Sequence, residues 1–334
     1  MKFRFLKLLP IFSFFVIFSC HNREQVEEDP IFRAPELKSI TAKIYDHPKN
    51  ADLYFNRGII LHKMQLDTLA LKDFKKAVQL DSTKAQYFSA VGNLLFDHKD
   101  VTGSIQWLQK AIALDPNDPV AHLKIAKMFV FIKEYTKAFN EINIVLRQNV
   151  YNPEAYFLKG LIYRDLKDTS KSISSFQAAI NVAPDYRDAV IELGQLYSAK
   201  HDAVALKYFD NAFRLDTLDI FPLYARGMFY QQQGKYEEAK KEYKNCIMHD
   251  EQYANAYFNM GWILMQQDSL EKAWRHYDLV TKIAPNNADA YYNRGLCSEM
   301  MNKKQDAIND YKQVLVFNDK YKEAIEALKR LGVK

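Results

Sequence analysis

The hexapeptides LYFNRG (Leu53–Gly58), AYFLKG (Ala155–Gly160), AYFNMG (Ala256–Gly261) and AYYNRG (Ala290–Gly295) are copies of one pattern. Their terminal glycines belong to a wider lattice. Gly58, Gly92, Gly160, Gly194, Gly227, Gly261 and Gly295 recur at the interval from Gly58 to Gly92 or at twice that interval, save one step that is a single position shorter. Ala126 follows Gly92 at the same interval and fills the vacant slot with another small side chain. Twelve positions beyond each lattice point (eleven in the fifth copy) runs a second small column: Ala70, Ser104, Ala138, Ser172, Ala205, Ala239, Ala273 and Ala307. Four further on is a large apolar column: Phe74, Leu108, Ile142, Phe176, Phe209, Tyr243, Tyr277 and Tyr311. Three beyond that stand Ala77, Ala111, Val145, Ala179, Ala212, Cys246, Val280 and Val314. Steps of four and three keep side chains on one face of a helix.

The breakers agree with helices. Glycine and proline number 10 each in 334 residues, about half of average usage. That argues against collagen-like and linker-rich chains, and against sandwiches or barrels with a breaker at every turn. Pro48, Pro116, Pro184 and Pro285 recur at a common point where a second helix should stop. Pro119 and Pro153 open the next first helix, where a missing N–H costs nothing.

Two helices per period, small residues at the eighth and twentieth positions, an aromatic at the twenty-fourth and a closing proline resemble tetratricopeptide repeats. The resemblance covers residues 51–321 as eight units: 51–84, 85–118, 119–152, 153–186, 187–219, 220–253, 254–287 and 288–321. It departs only at closing positions such as Ser82, Val150, Thr217, Glu251 and Asp319. It implies an all-α fold, a helix-turn-helix superhelix or α-solenoid. No unit buries its face alone, so the ends need caps. Residues 322–334, with Tyr321 before them, read as a polar-faced capping helix ended by Gly332. Residues 35–50 resemble the second helix of an incomplete unit.

The first twenty residues have a separate logic. Lys2, Arg4 and Lys7 precede an apolar run, Leu8 to Phe18, and then Ser19-Cys20. Eleven apolar residues are too few for a span that needs roughly twenty. Residues 1–19 therefore read as a secretory signal peptide. The ending Ile17-Phe18-Ser19-Cys20 resembles a bacterial lipobox, with Phe18 departing from the small residue usual there. The resemblance implies lipidation of Cys20, and residues 20–34, acidic and carrying Pro30, read as a flexible tether. His21 is not the inner-membrane retention residue of enterobacterial lipoproteins, which implies the outer membrane. Glu24, Glu27, Glu28 and Asp29 suggest surface export, as in some Bacteroidetes-like lipoproteins.

Composition and motifs exclude most chemistry. The formal charge is +5, without basic blocks in the body of the chain, which does not fit nucleic-acid binding. The eight histidines show no metal-ligand spacing. There is no phosphate-cradling glycine loop and no G-x-S-x-G elbow. Cys246 and Cys297 sit in apolar repeat columns of non-adjacent units and read as free, buried thiols. No catalytic residue, metal or cofactor is implied, and the chain reads as a non-enzyme.

Function then rests on surface positions the repeat does not require. In the resembled family the first helices line a concave face, exposing positions two, five, nine and twelve. Here that face carries Phe55, Phe157, Tyr224, Met228, Phe258, Trp262, Met265 and Tyr292. The reading is an apolar-aromatic groove for a protein or peptide, with Phe258 and Trp262 central. The competing reading of the same residues is packing between neighbouring helices. The Lys and Asn set with which some relatives clamp a peptide carboxylate is missing: the fifth and ninth positions are Phe55 and Ile59 in the first unit, Ser89 and Asn93 in the second. The run Lys235 to Lys244 reads as a solvated helix face. The expectation is a membrane-anchored scaffold or adaptor in the bacterial cell envelope. A self-associating structural protein and a non-catalytic subunit of an envelope enzyme are the alternatives.

Overall fold

The computed structural model describes residues 30–333, and every regular element among them is helical: a 3-10 turn, Pro30–Arg33, and eighteen α-helices. The helices divide into two compact units, with the boundary between Leu114 and Asp115. The first holds α1 (Pro35–Asp46), α2 (Ala51–Lys63), α3 (Asp67–Leu80), α4 (Ala85–Asp97) and α5 (Val101–Leu114). The second begins with α6 (Pro119–Phe131), α7 (Tyr135–Gln148), α8 (Pro153–Asp165), α9 (Thr169–Val182), α10 (Arg187–Ala199) and α11 (Val204–Leu215). It continues through α12 (Phe221–Gln232), α13 (Tyr236–His249), α14 (Ala254–Gln266), α15 (Leu270–Ile283), α16 (Ala288–Met300), α17 (Lys304–Phe317) and α18 (Lys322–Arg330). Within each unit a helix packs on its chain neighbour, so pairs such as α8 and α9 stack onto the next pair.

The small columns are where those pairs touch. A Cβ built on Gly160 would fall 2.5 Å from the Phe176 ring, and one on Gly227 2.5 Å from the Tyr243 ring. No real Cβ tolerates such distances, so glycine at position eight admits the large residue at position twenty-four. The third repeat shows the compensation. Ala126 replaces glycine, and position twenty-four holds the aliphatic Ile142, both fully buried. Where the second small column is serine the hydroxyl is satisfied. Ser172 donates to the Gly160 carbonyl at 2.9 Å, and Ser104 to the Gly92 carbonyl at 2.6 Å.

The turn between paired helices follows a rule that composition hides. Gln65, Lys99, Lys133, Lys167, His201, Asp268 and Asn302 all have φ between 53° and 65°. They occupy the fifteenth position of their repeats, and the sixth repeat has Gly234 there, φ 70°. The left-handed conformation costs a non-glycine residue about 1–2 kcal/mol. The glycines therefore serve helix contacts, and seven turns of eight accept the strain. The fifth repeat, one position short, loses it near its second helix: α11 has 12 residues where α9 and α13 have 14.

Both described ends are covered. Ala324, Ala327 and Leu328 of α18 join the cluster of Ile308, Tyr311 and Val314. Arg330 holds the Glu299 carboxylate with bonds of 2.8 and 2.9 Å. In the first unit Leu37 of α1 is fully buried against Leu61 and Phe74. Residues 30–34, assigned by sequence to the flexible tether, are packed. Ile31 and Phe32 pack against that cluster, and the Arg57 guanidinium lies 4.1 Å from the Phe32 ring centroid. The reason is apolar burial plus a cation–π contact, which acidic composition upstream had masked. Residues 1–19, expected to form a signal peptide, and Cys20 lie outside the described residues. Among the described residues no helix is long and apolar enough to cross a membrane.

Candidate partner-binding surface

The residues read as groove anchors are all half-buried, and the structure gives each a neighbour. Phe55, in the first compact unit, has ring centroids of Phe74 at 5.8 Å and Tyr87 at 5.1 Å. The other seven belong to the second unit. Phe157 lies 5.6 Å from Phe176 and 5.3 Å from Tyr186. Tyr224 lies 5.8 Å from Tyr243 and 5.5 Å from Tyr253. Tyr292 lies 5.6 Å from Tyr311 and 5.4 Å from Tyr321. Phe258 meets Tyr277 edge-on at 5.3 Å, and Trp262 meets Tyr236 edge-on at 6.1 Å. Met228 packs on the cluster around Tyr243 and Cys246, Met265 on the one around Leu264 and Tyr277.

One geometry thus recurs. The aromatic at position five lies against the position-twenty-four aromatic of its own repeat, and usually a second ring at the seam with the next. Packing does use position five, contrary to the sequence argument that the core has no need of it. The signal was present: an aromatic at position five accompanies one at position twenty-four in the first, fourth, sixth, seventh and eighth repeats. Pairs at such separations are worth about 0.5–1.5 kcal/mol beyond area burial. The rings also keep part of their surface in solvent.

The hydroxyls along this surface do no acid–base work at neutral pH. Burial raises the Tyr224 hydroxyl above the usual phenol range, with the hydrogen bond from Asn259 opposing. Burial likewise raises Tyr292. Tyr186 and Tyr253 are pushed up to about 12 by burial. Cys246 and Cys297 are free and fully buried, and burial raises both thiols to about 12. Among the described residues no three His, Cys, Asp or Glu side chains could hold a metal ion.

Most apolar side chains exposed beyond half lie elsewhere. Phe131 and Tyr151 are each 74% exposed and Leu218 is 92% exposed, all at helix ends or turns and none on the aromatic row. A second feature escaped the sequence argument. Arg57, Arg226 and Arg294 occupy position seven of their repeats and reach an acid sixteen positions later. Arg57 binds Asp73 at 2.6 and 2.9 Å, both largely buried. Arg226 donates to Glu242 at 2.9 Å and also reaches Asp210 of the preceding repeat. Arg294 ties Asp310 to Asp278 of the preceding repeat, each at 2.6 Å. The R…D/E pairing is legible at fixed spacing once the repeat frame is known. It fixes register between helices rather than forming a site.

Tandem helix pairs, joined by short turns and stacked through small-residue columns, define the class as an α-solenoid of helix-turn-helix repeats. Tetratricopeptide-repeat models match residues 51–84, 153–186, 230–297 and 289–316, and a TPR-repeat model matches residues 92–130. The chain belongs to the tetratricopeptide-repeat proteins. Solved structures agree on fold. A tetratricopeptide repeat protein from Parabacteroides merdae superposes with a TM-score of 0.54 at 15% identity, covering 74% of this chain and 98% of its own. The C-terminal part of a TPR repeat-containing protein from Cytophaga hutchinsonii gives 0.59 at 18%, covering 73% and 99%. Among curated relatives, Superkiller complex protein 3 of Homo sapiens is 26% identical over 201 residues, 58% of this chain and 13% of that protein. Anaphase-promoting complex subunit 3 of Schizosaccharomyces pombe is 23% identical over 269 residues, 77% of this chain and 40% of that protein. The chain thus spans less than half the length of either. Tetratricopeptide-repeat proteins mediate protein–protein interaction and scaffolding, and their fold is typically non-catalytic.

Proposed function

We propose that this protein is a membrane-anchored scaffold of the bacterial cell envelope, without chemistry of its own. Lipidated Cys20 holds it at the outer membrane, and the repeats recruit a protein or peptide partner. The observation that carries the reading is the row of half-exposed apolar side chains on alternate helices. Tyr224 and Met228 of α12, Phe258, Trp262 and Met265 of α14, and Tyr292 of α16 repeat at positions five, nine and twelve. The aromatic members bind partners well because they offer large contact area with few rotors, and the methionines adapt to fill gaps. The family membership and the lipobox-like Ile17–Cys20 support the two halves of the proposal independently.

The test separates those halves. Pulldown from envelope fractions with the wild-type chain should enrich a specific protein, and Trp262→Ala/Met265→Ala should lose it while the thermal melt stays cooperative. Undiminished capture by that variant overturns the groove. Cys20→Ala should move the protein from the membrane to the soluble fraction; unchanged membrane residence overturns the anchor alone.

A further inference from the structure

A recess of about 440 Å³ opens among α13, α14 and α15. Its apolar lining is Met260 and Leu264 from α14 and Leu279 from α15. Its rim is basic: Lys240, Lys241 and Lys244 come from α13, Lys272 and Arg275 from α15. Glu237 is the one acid of the lining, and its carboxylate sits 2.7 Å from Lys240. Arg275 reaches Glu271 at 3.6 Å. Lys241, Lys244 and Lys272 are exposed and carry no ion pair among the described residues.

Two observations go beyond a solvated charge run. First, the cations come from two helices of different repeats and gather around one concavity with an apolar lining. Second, the Nδ1 of His276, on the same wall, is buried without a hydrogen-bond partner. Such a group in a native fold calls for an explanation. Burial, and then Lys244, lowers the pKa of His276, so the imidazole is neutral at pH 7. The imidazole therefore adds nothing to the cationic charge of the rim.

We propose that this recess docks an acidic peptide segment of a partner protein, with carboxylates on the lysine rim and one apolar side chain against the exposed Leu279, at the edge of the buried Met260 and Leu264. Charge complementarity selects the carboxylates. Leu279, 39% exposed, selects a peptide with an apolar side chain over a bare anion, which would leave it uncovered. A bilayer surface is flat and does not reach into a recess. The site faces away from the aromatic row, although Phe258 and Met265 pack on the cluster that contains Leu264, and Trp262 on the one that contains Met260. At 100° per residue Phe258, Trp262 and Met265 point to one side of α14, Met260 and Leu264 to the other.

The probe is a fluorescein-labelled peptide, Glu-Glu-Leu-Leu-Glu-Glu, titrated into the purified full chain and read by fluorescence anisotropy. Saturable binding that weakens with added salt is expected, because screening shortens the reach of these charges. Lys241→Glu/Lys244→Glu/Lys272→Glu should weaken it at least about tenfold with the melting temperature unchanged, since all three side chains are exposed. Lys241→Gln/Lys244→Gln/Lys272→Gln, which removes charge without reversing it, should give a smaller loss in the same direction. Wild-type affinity in both variants, or no binding by the wild type, overturns the proposal. Equal affinity for Glu-Glu-Ser-Ser-Glu-Glu overturns the apolar seat. Equal competition by inorganic phosphate or by phosphatidylglycerol vesicles overturns the peptide assignment.

Discussion

The two sides of α14 obey opposite rules. On one, Phe258 and Trp262 are the residues a sequence reader picks as free anchors, and both lie edge-on against tyrosines, Tyr277 and Tyr236. On the other, the lysines of α13 read as a solvated helix face, and with Lys272 and Arg275 of α15 they converge on a recess lined by Met260 and Leu264. Apolar side chains near a helix seam gain from every neighbour they touch, so they are drawn into packing. Ammonium groups lose hydration when packed, so they stay at rims where a partner can reach them. Residue type alone thus misjudges availability in both directions.

The widest expected gap between the two sides is in stability. Phe258→Ala should cost about 2 kcal/mol, below the range for a fully buried phenylalanine because the ring is half-buried. Lys241→Gln should stay within about 0.5 kcal/mol of wild type. Thermal and urea melts of the pair decide it; if Phe258→Ala melts with the wild type, its ring is a free anchor and the contrast collapses.

A smaller gap should separate two glycines of the same column. A Cβ on Gly160 meets the Phe176 ring at 2.5 Å, whereas one on Gly261 comes no nearer than 3.0 Å to Tyr277. Overpacking costs about 1–3 kcal/mol, and alanine returns up to about 1 kcal/mol of helix propensity. Gly160→Ala should therefore destabilise by about 1 kcal/mol while Gly261→Ala is nearly neutral, as measured by denaturant midpoint. Equal midpoints would mean the column's spacing is set by backbone rather than by ring contact.

The turns carry effects of similar size but opposite sign. Gly234 has φ 70° with nothing within 4 Å of a built Cβ, so Gly234→Ala should cost about 1 kcal/mol through backbone strain alone. Lys133, φ 61°, is the mirror case: Lys133→Gly should gain about 0.5 kcal/mol. Calorimetry showing both changes with the same sign would remove the strain account.

Much of the fold was legible because its rule is local and repeated eight times. The spacing of Gly58, Ala70 and Phe74 announces a helix pair, and seven further copies remove coincidence. The aromatic row was half legible. The positions were found, but the ring at position five and the ring at position twenty-four lie on different helices, and only their co-occurrence across five repeats signals that they touch. The turn strain was invisible because Lys99, Lys133 and Lys167 are ordinary surface residues by type. Ile31 and Phe32 were assigned to a tether on the acidity of their neighbours, while two apolar side chains sufficed to dock them.

By itself, the order of residues determined the period, the helix pairs, the capping helix and the absence of any motif for chemistry, because each depends on spacings within about one repeat. Tertiary structure decided which side chains remain available. Lys244 and Lys272 belong to successive repeats and meet at one recess only because α14 packs between their helices. Contact between elements sets exposure, and exposure sets what a partner can touch.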